Sequence, residues 1–431
     1  MGRRSCRDRL EQALTRIADP KGEGARACLS VYADAARAAA DAADARAALG
    51  ISLGALDGVI VSIKDLFDVA GEPTRAGSKI LAEEAAPAVA DAAVVRRLRA
   101  GGAVMVAKTN MTEFAFSGVG ANPHFGTPGN PRDRARVPGG SSAGAPVAVA
   151  DGMCEIAIGT DTGGSVRIPA ALCGLVGFKP SRQRIPTAGA FPLSYTLDSI
   201  GPIARTVRDC ARADAVLSGE AGGLLAPTDL SGLRFGVAEG LPLDGLDDTV
   251  AAAYAAAVDR LVAAGVRVAG EVVALFDDMR AVNAKGGISP PEACAIHRDR
   301  IRRRGDDIDP NVRARIERGC AVAAADYVDM LRERSRLVAA MDAWLAGFDA
   351  LVMPTTPIVA PTIAEVAEAK EFSARNAALL RNTAIVNFFD LCAVSLPLAA
   401  PLPVGLMLIA RNGQDQRLLG IAAAAEALLG S

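Results

Sequence analysis

Hydrophobic and polar positions change period several times along the chain, and each change marks an element. Over the first fifty residues the apolar positions recur at helical spacing, with Leu10, Leu14 and Ile17 on one face, followed by an alanine-rich run over 32–49 that carries Asp and Arg at intervals. Two helices packed outside a sheet account for this pattern. From Gly58 the period drops to two. Val59, Val61 and Ile63 then alternate with Ile60, Ser62 and Lys64, which predicts a strand ending at Lys64, with Lys64 turned away from the Val59 face. Asp91 is placed to cap a helix running to Arg99 and closed by Gly101 and Gly102, with a short buried strand over 103–107. A similar helix, glycine and strand unit recurs from Asp247 through Gly265 to Val273. A small-residue helix over 143–150 feeds an apolar strand after Cys154, and further helices are predicted over 206–217, 291–304, 323–345 and 416–429. Strands are predicted over 350–353, 394–398 and 405–409. This alternation implies an α/β fold, a sheet with helices on both faces.

No Ser/Gly linker or break in composition divides the 431 residues, so one unit over 1–431 is expected, with 1–50 packing on it as a helical segment. Half of the residues are hydrophobic (51%), enough for a large core. The net charge of −2 offers no basic field for nucleic acid or an anionic membrane. The arginines at 298, 300, 302, 303 and 304 are followed at once by Asp306, Asp307 and Asp309, as on a solvated helix face. Eight cysteines lie far apart, with no C-x-x-C pair, which fits a reducing cytoplasm. With only His124 and His297, a histidine-rich metal site is excluded, and no metal or cofactor is expected. The N-terminus lacks an apolar leader and no long uncharged apolar run occurs, so neither export nor a membrane span is expected.

The stretch CEIAIGTDTGGSVR, from Cys154 to Arg167, reads as a buried strand opening into a glycine-rich turn that presents Ser165. Gly163 and Gly164 let the backbone fold tightly and aim N–H groups at one point beside the serine, as oxyanion stabilisation requires. The same composition also suits an ordinary strand-to-helix connection. A serine nucleophile needs a base, and neither histidine has a local signature for that work. Lys64 ends an almost wholly apolar strand, where burial lowers a lysine pKa toward neutrality; the alternative is a strand-end lysine reaching solvent. A second glycine-serine turn, PGGSSAG, holds Gly139, Gly140, Ser141, Ser142 and Gly144, and a serine there can relay a proton between a lysine and a nucleophile. It lacks the Lys-Ser/Thr ending of a nucleotide-binding P-loop. It lies at the end of a long Gly/Pro/Asn-rich stretch over 118–142, a length usual for functional or disordered loops.

These segments resemble the amidase signature hydrolases. VSIKDLFD, KTNMTEF, PGGSSAG, GTDTGGSVRIPA, CGLVGFKPS and LDSIGPIART occur in the family's order and spacing, and the likeness continues through EACAIH, DALVMPTTP, NFFDLCAVSLP and LPVGLMLI, over roughly 55–425 with a signature core over 58–210. The resemblance implies the family's fold, a large mixed and twisted central sheet covered by helices on both faces, and a Ser-cisSer-Lys triad. Carried over by position, Ser165 is the nucleophile, Ser141 the bridging serine joined to Gly140 by a cis peptide, and Lys64 the base. Thr162, Gly163 and Gly164 supply the oxyanion N–H groups, and Ser142 supports the network. Asp161 braces the glycine turn through backbone N–H groups, Arg167 is structural, and Phe114 and Phe116 fall where the family lines its acyl pocket. Ala143 departs from the glycine frequent in the family at that place.

The implied activity is hydrolysis of a small-molecule carboxamide through a seryl acyl-enzyme, with no cofactor. Other readings within the family are a glutamine-dependent amidotransferase subunit and a hydrolase of urea-derived amides; outside catalysis, the intact triad argues against a mere binding protein. The residues over 182–195 and 278–327 are expected to shape the pocket, and the sequence does not name the amide. Homodimers are common in the family, and no sequence feature establishes one here.

Overall fold

The computed structural model describes residues 4–220, 225–226 and 228–430; the ends of the expected 1–431 unit therefore lie outside the described residues. Eleven strands are formed: β1 (Cys28–Val31), β2 (Ile60–Lys64), β3 (Val104–Thr109), β4 (Ile156–Asp161), β5 (Val176–Lys179), β6 (Ser199–Ala204), β7 (Arg234–Glu239), β8 (Arg267–Val272), β9 (Ala350–Pro354), β10 (Cys392–Leu398) and β11 (Val404–Ala410). They make one sheet in the order β1-β3-β2-β4-β6-β5-β10-β11-β9-β7-β8. The sheet is mixed. β2 runs parallel to both β3 and β4, and β7 parallel to β8 and β9, while the other neighbours are antiparallel.

The period-two pattern decides which core each strand residue enters. Val61 and Ile63 of β2, Met105 of β3, and Ile156 and Ile158 of β4 pack on one side with Val94, Val95 and Leu98 of the helix Ala93–Ala100. Ile60, Val104, Val106 and Ala157 pack on the other with Leu10, Leu14 and Ile17 of the helix Cys6–Ala18 and with the helices Ala33–Ala48 and Gly144–Ala150. Each fully buried Leu or Ile contributes about 1.5–3 kcal/mol to that packing. Asp247 caps the helix Asp248–Ala263 through the N–H of Thr249, and Thr206 caps Val207–Ser218 through the N–H of Asp209.

Two expectations are corrected. Asp91 caps no helix: Ala93–Ala100 has no side-chain cap, and the Asp91 carboxylate instead accepts from the N–H of Ala70 and pairs with Arg99. The cysteines are not all free, since Cys294 and Cys320 form a disulfide that staples the helix Ser289–Arg304 to Pro310–Cys320. The other six are buried thiols. Among the described residues no helix is long and apolar enough to cross a membrane, and no group of side chains is placed to hold a metal ion.

The long 118–142 segment is ordered by its own amides. Asn122 Nδ2 donates to the carbonyls of Gly77 and Met111, and Asn130 Nδ2 to those of Val137 and Leu172, so two buried side-chain amides fasten the loop to its surroundings. Its end delivers the second glycine-serine turn to the C-terminal ends of β2 and β4.

Candidate active site

β2 and β4 are parallel neighbours, with Val61 beside Ile156 and Ile63 beside Ile158, so the residues that leave their C-terminal ends emerge side by side. Lys64, the last residue of β2, is fully buried. Its Nζ donates to Ser141 Oγ at 2.8 Å and to Thr160 Oγ1 at 2.8 Å, and no carboxylate among the described residues touches it. Burial pushes the amine down to about 7, against the fields of Asp198 and Asp161, which favour the charged form. A lysine with such a pKa is neutral for much of its time at physiological pH, the state in which it can take a proton.

Ser141 is reached through a cis peptide from Gly140. The glycines on this path are there for space: a Cβ on Gly140 would lie 2.7 Å from the nitrogen of Gly120. The carbonyl of Ser141 accepts from the N–H groups of Thr112 and Ala143, which locks the turn over β2. Ser142 is buried too, with its hydroxyl packed toward Gly159, but that hydroxyl has no hydrogen-bond partner among the described residues.

Residues leaving β4 alternate in direction. Thr160 meets Lys64, Asp161 turns inward, and Thr162 Oγ1 donates to Asp198 Oδ1 at 2.6 Å. The Asp161 carboxylate receives Arg167 Nε at 3.0 Å and Nη2 at 2.8 Å, Asn387 Nδ2 at 2.9 Å, and the N–H of Val166 at 3.1 Å. Burial would raise its pKa, but the Arg167 charge and hydrogen bonds outweigh that and hold it at about 2. Asp161 thus braces the start of the helix Arg167–Cys173, and Arg167, itself fully buried, is committed to that task. Gly164 has φ +134° and packs against Thr383, whose hydroxyl donates to the carbonyl of Gly163 at 2.6 Å.

Ser165 is the member of the serine-lysine set that reaches a cavity, one of about 220 Å³. Thr162 and Gly163 line it beside the serine, with Phe116 and Ser117 on one side, the 286–290 loop and Arg315 on another, and Leu380, Ala384 and Phe388 of the helix Ala369–Phe388 closing it. Lys64 and Ser141 are not among the residues that line it. Of the aromatic pair, only Phe116 is in the wall. Phe114 is in the core, its ring centroid 4.0 Å from that of His297 and tilted 32° to it. Neither histidine lines the cavity: His124 Nε2 is 3.0 Å from Glu113 Oε2, and burial, helped by Arg300, pushes His297 down to about 3, so it stays neutral.

Three features had no individual signal in the sequence. Thr160 supplies the second hold on Lys64. Asp198 grips Thr162 and the N–H groups of Leu193 and Ser194. Arg315 donates to the Phe116 carbonyl at 2.9 Å and lies 4.2 Å over the Phe116 ring, with no carboxylate partner among the described residues. Burial lowers its pKa to about 10, so it remains a cation. Both segments expected to shape the pocket are near it. The 278–327 region supplies the 286–290 loop and Arg315, while Leu193 reaches in from 182–195, most of which walls a neighbouring cavity.

Residues 9–419 match the model of the amidase family. A 2-amino-5-chloromuconic acid deaminase of Comamonas testosteroni is 39% identical over 404 residues, 92% of this chain and 87% of that protein. The 1-carboxybiuret hydrolase subunit AtzE of a Pseudomonas species (strain ADP) is 38% identical over 84% of this chain and 80% of its own length. A crystal structure of an amidase superposes with a TM-score of 0.88 at 35% identity, covering the whole of this chain and 97% of the other.

Proposed function

From the premise that the chain belongs to the amidase family, and so hydrolyses the C–N bond of a small-molecule carboxamide, we propose that its substrate carries a carboxylate and that Ser165, Ser141 and Lys64 perform the reaction. Neutral Lys64 draws a proton from Ser141 as Ser141 takes one from Ser165, and the Ser165 oxygen attacks the amide carbon. The oxyanion is held by N–H groups of Thr162, Gly163 and Gly164. When the C–N bond breaks, the proton on Lys64 returns through Ser141 to the departing nitrogen, releasing ammonia or an amine. Water then attacks the acyl-serine under the same relay and restores the free hydroxyl. Because the acting form of Lys64 is the neutral one, kcat/KM should rise with pH through about 7 and level off above it. A profile flat from pH 5 to 9 would refute the lysine base.

The observation that carries the substrate class is Arg315, a cation in the wall of a small, partly apolar cavity with no counter-ion among the described residues. An unpaired charge in such a place is costly, and a substrate carboxylate relieves the cost through charge-assisted hydrogen bonds. The names of both relatives, a muconic acid and a carboxybiuret, contain a carboxyl group. Glutamine carries one as well, which keeps the amidotransferase subunit as the second reading.

Ammonia release from dicarboxylic half-amides, carboxylated ureas, glutamine and the uncharged counterpart of each tests this. The carboxylated member should win by about 10- to 150-fold in kcat/KM, the worth of one hydrogen bond to a charged group. Arg315→Met should erase the preference while leaving the neutral amides unchanged. Equal rates on charged and neutral members would sink the proposal, and activity confined to glutamine would favour the second reading.

A further inference from the structure

Asp198 stands where two cavities meet. On one side is the cavity of Ser165, whose wall includes Thr162 and Leu193; on the other is a cavity of about 470 Å³ that Thr160 and Asp198 line together with residues of the 182–195 segment. The Asp198 carboxylate receives Thr162 Oγ1 at 2.6 Å, the N–H of Leu193 at 3.0 Å, and the N–H of Ser194 at 3.1 Å to each oxygen. One side chain therefore fastens the glycine turn beside Ser165 to the facing wall of the cavity. Asp198 is also the first of the two carboxylates whose fields act on Lys64, the other being Asp161.

We propose that Asp198 is a positioning residue for amide hydrolysis: its carboxylate joins Thr162 to the 193–194 wall and supplies one of the two negative charges that Lys64 feels. This rests on the reading of Lys64 as the base and Ser165 as the nucleophile. The two carboxylates differ in availability. Asp161 is bound to Arg167 and Asn387, with Lys179 acting on it as well, and stays ionised down to about 2. Asp198 has no cation in contact among the described residues. Burial pushes it up to about 6 against its three donors, and the charge of Glu292 adds to the rise. Glu292 comes from the helix Ser289–Arg304 and is itself bonded to Ser194, Thr196 and, at 2.6 Å, the Tyr327 hydroxyl of the helix Ala324–Leu345. Lys64 and Asp161 on the adjoining strands, and Arg182 and Tyr195 in the wall of the neighbouring cavity, are the other charged and titratable groups around Asp198.

The Asp198→Asn enzyme tests both parts of the role. Loss of the negative charge makes protonated Lys64 less favourable, so the acid limb of kcat/KM should move to lower pH by about half a unit or more. Loss of acceptor capacity toward Thr162, Leu193 and Ser194 should raise KM about tenfold. Thr162→Val cuts one hydrogen bond and keeps the charge; it should lower kcat/KM about tenfold with the acid limb in place. An acid limb that stays put in folded Asp198→Asn, or wild-type kcat/KM in Thr162→Val, overturns the proposal. If Asp198→Asn does not fold, Thr162→Val decides alone. Activity surviving Lys64→Ala would instead remove the reading on which the proposal rests, an outcome distinct from either.

Discussion

Replacing Arg167 by methionine separates a structural arginine from a substrate clamp. The guanidinium lies two residues after Ser165, yet it is fully buried and fully used: two hydrogen bonds go to Asp161, one of 2.7 Å to Asn387 Oδ1, and Nη1 lies 3.2 Å from Met407 Sδ. Methionine keeps the stem and deletes the charge, leaving Asp161 with Asn387 and the Val166 N–H as neutral partners. Removing one partner of a buried pair costs about 3–5 kcal/mol, because the remaining charge is stranded in a low-dielectric interior. The loss carries its own pH signature. In the wild type the Asp161 pKa is depressed from 3.8 to about 2, so its stabilising contribution is complete above 3.8 and is lost as pH falls through about 2. In Arg167→Met the same carboxyl is destabilised by burial, so the gap between variant and wild type should narrow as acid neutralises it. Guanidinium unfolding followed at the single tryptophan, Trp344, at pH 7 and pH 4.5 measures both quantities. A variant within about 0.5 kcal/mol of wild type, with a higher KM only for carboxylated substrates, would refute the structural role and move the clamp to Arg167.

Two further outcomes follow from geometry elsewhere in the site and its cover. Gly164→Ala should lower kcat/KM at least about 100-fold in the ammonia assay, since its Cβ would lie 2.2 Å from Thr383 Oγ1 at a φ of +134°; a near-native rate would remove the glycine turn from oxyanion binding. Reduction of the Cys294–Cys320 disulfide, which spans 26 residues, or its replacement by serines, should lower unfolding free energy by about 3 kcal/mol. Identical thermal unfolding with and without reductant would contradict that.

The strands and helices with clean periodicity are found close to where the pattern places them, including the strand ending at Lys64 and the helix capped by Asp247. What escapes the pattern does so for physical reasons. β6 reads Ser-Ile-Gly-Pro-Ile-Ala, two of whose residues ordinarily argue against a strand; Gly201 is needed because a Cβ there would lie 2.0 Å from the Phe178 carbonyl oxygen. The helix Ala369–Phe388 hides its signal because its inward face mixes polar residues with apolar ones: Asn382 donates to the Pro242 and Pro354 carbonyls, Thr383 to Gly163, and Asn387 to Asp161. Within the site, glycine and serine turns are visible because their chemistry is local. Arg315 is not, since it sits among Arg313 and Arg318 and only the fold shows that it, and neither of them, lines the cavity of Ser165. The disulfide likewise joins two cysteines with nothing in their spacing to mark them.

The adjacency of β2 and β4 divides the molecule into parts that can change at different speeds. Lys64, Ser141 and Ser165, the proposed base, bridging serine and nucleophile, all come from residues 64–165: the register of β2 on β4 places the first and the last, and the turn closing the 118–142 segment brings Ser141 to Lys64. The far walls of the cavity come from 286–290, from Arg315 and from the helix Ala369–Phe388, which join the rest through side-chain hydrogen bonds such as Thr383 to the Gly163 carbonyl and not through the sheet ladder. Substitutions at Leu380, Ala384 or Phe388 reshape the cavity while the hydrogen bonds of Thr383 and Asn387 to the glycine turn stay in place, so the shape of the cavity and the geometry around Ser165 are separable on one helix.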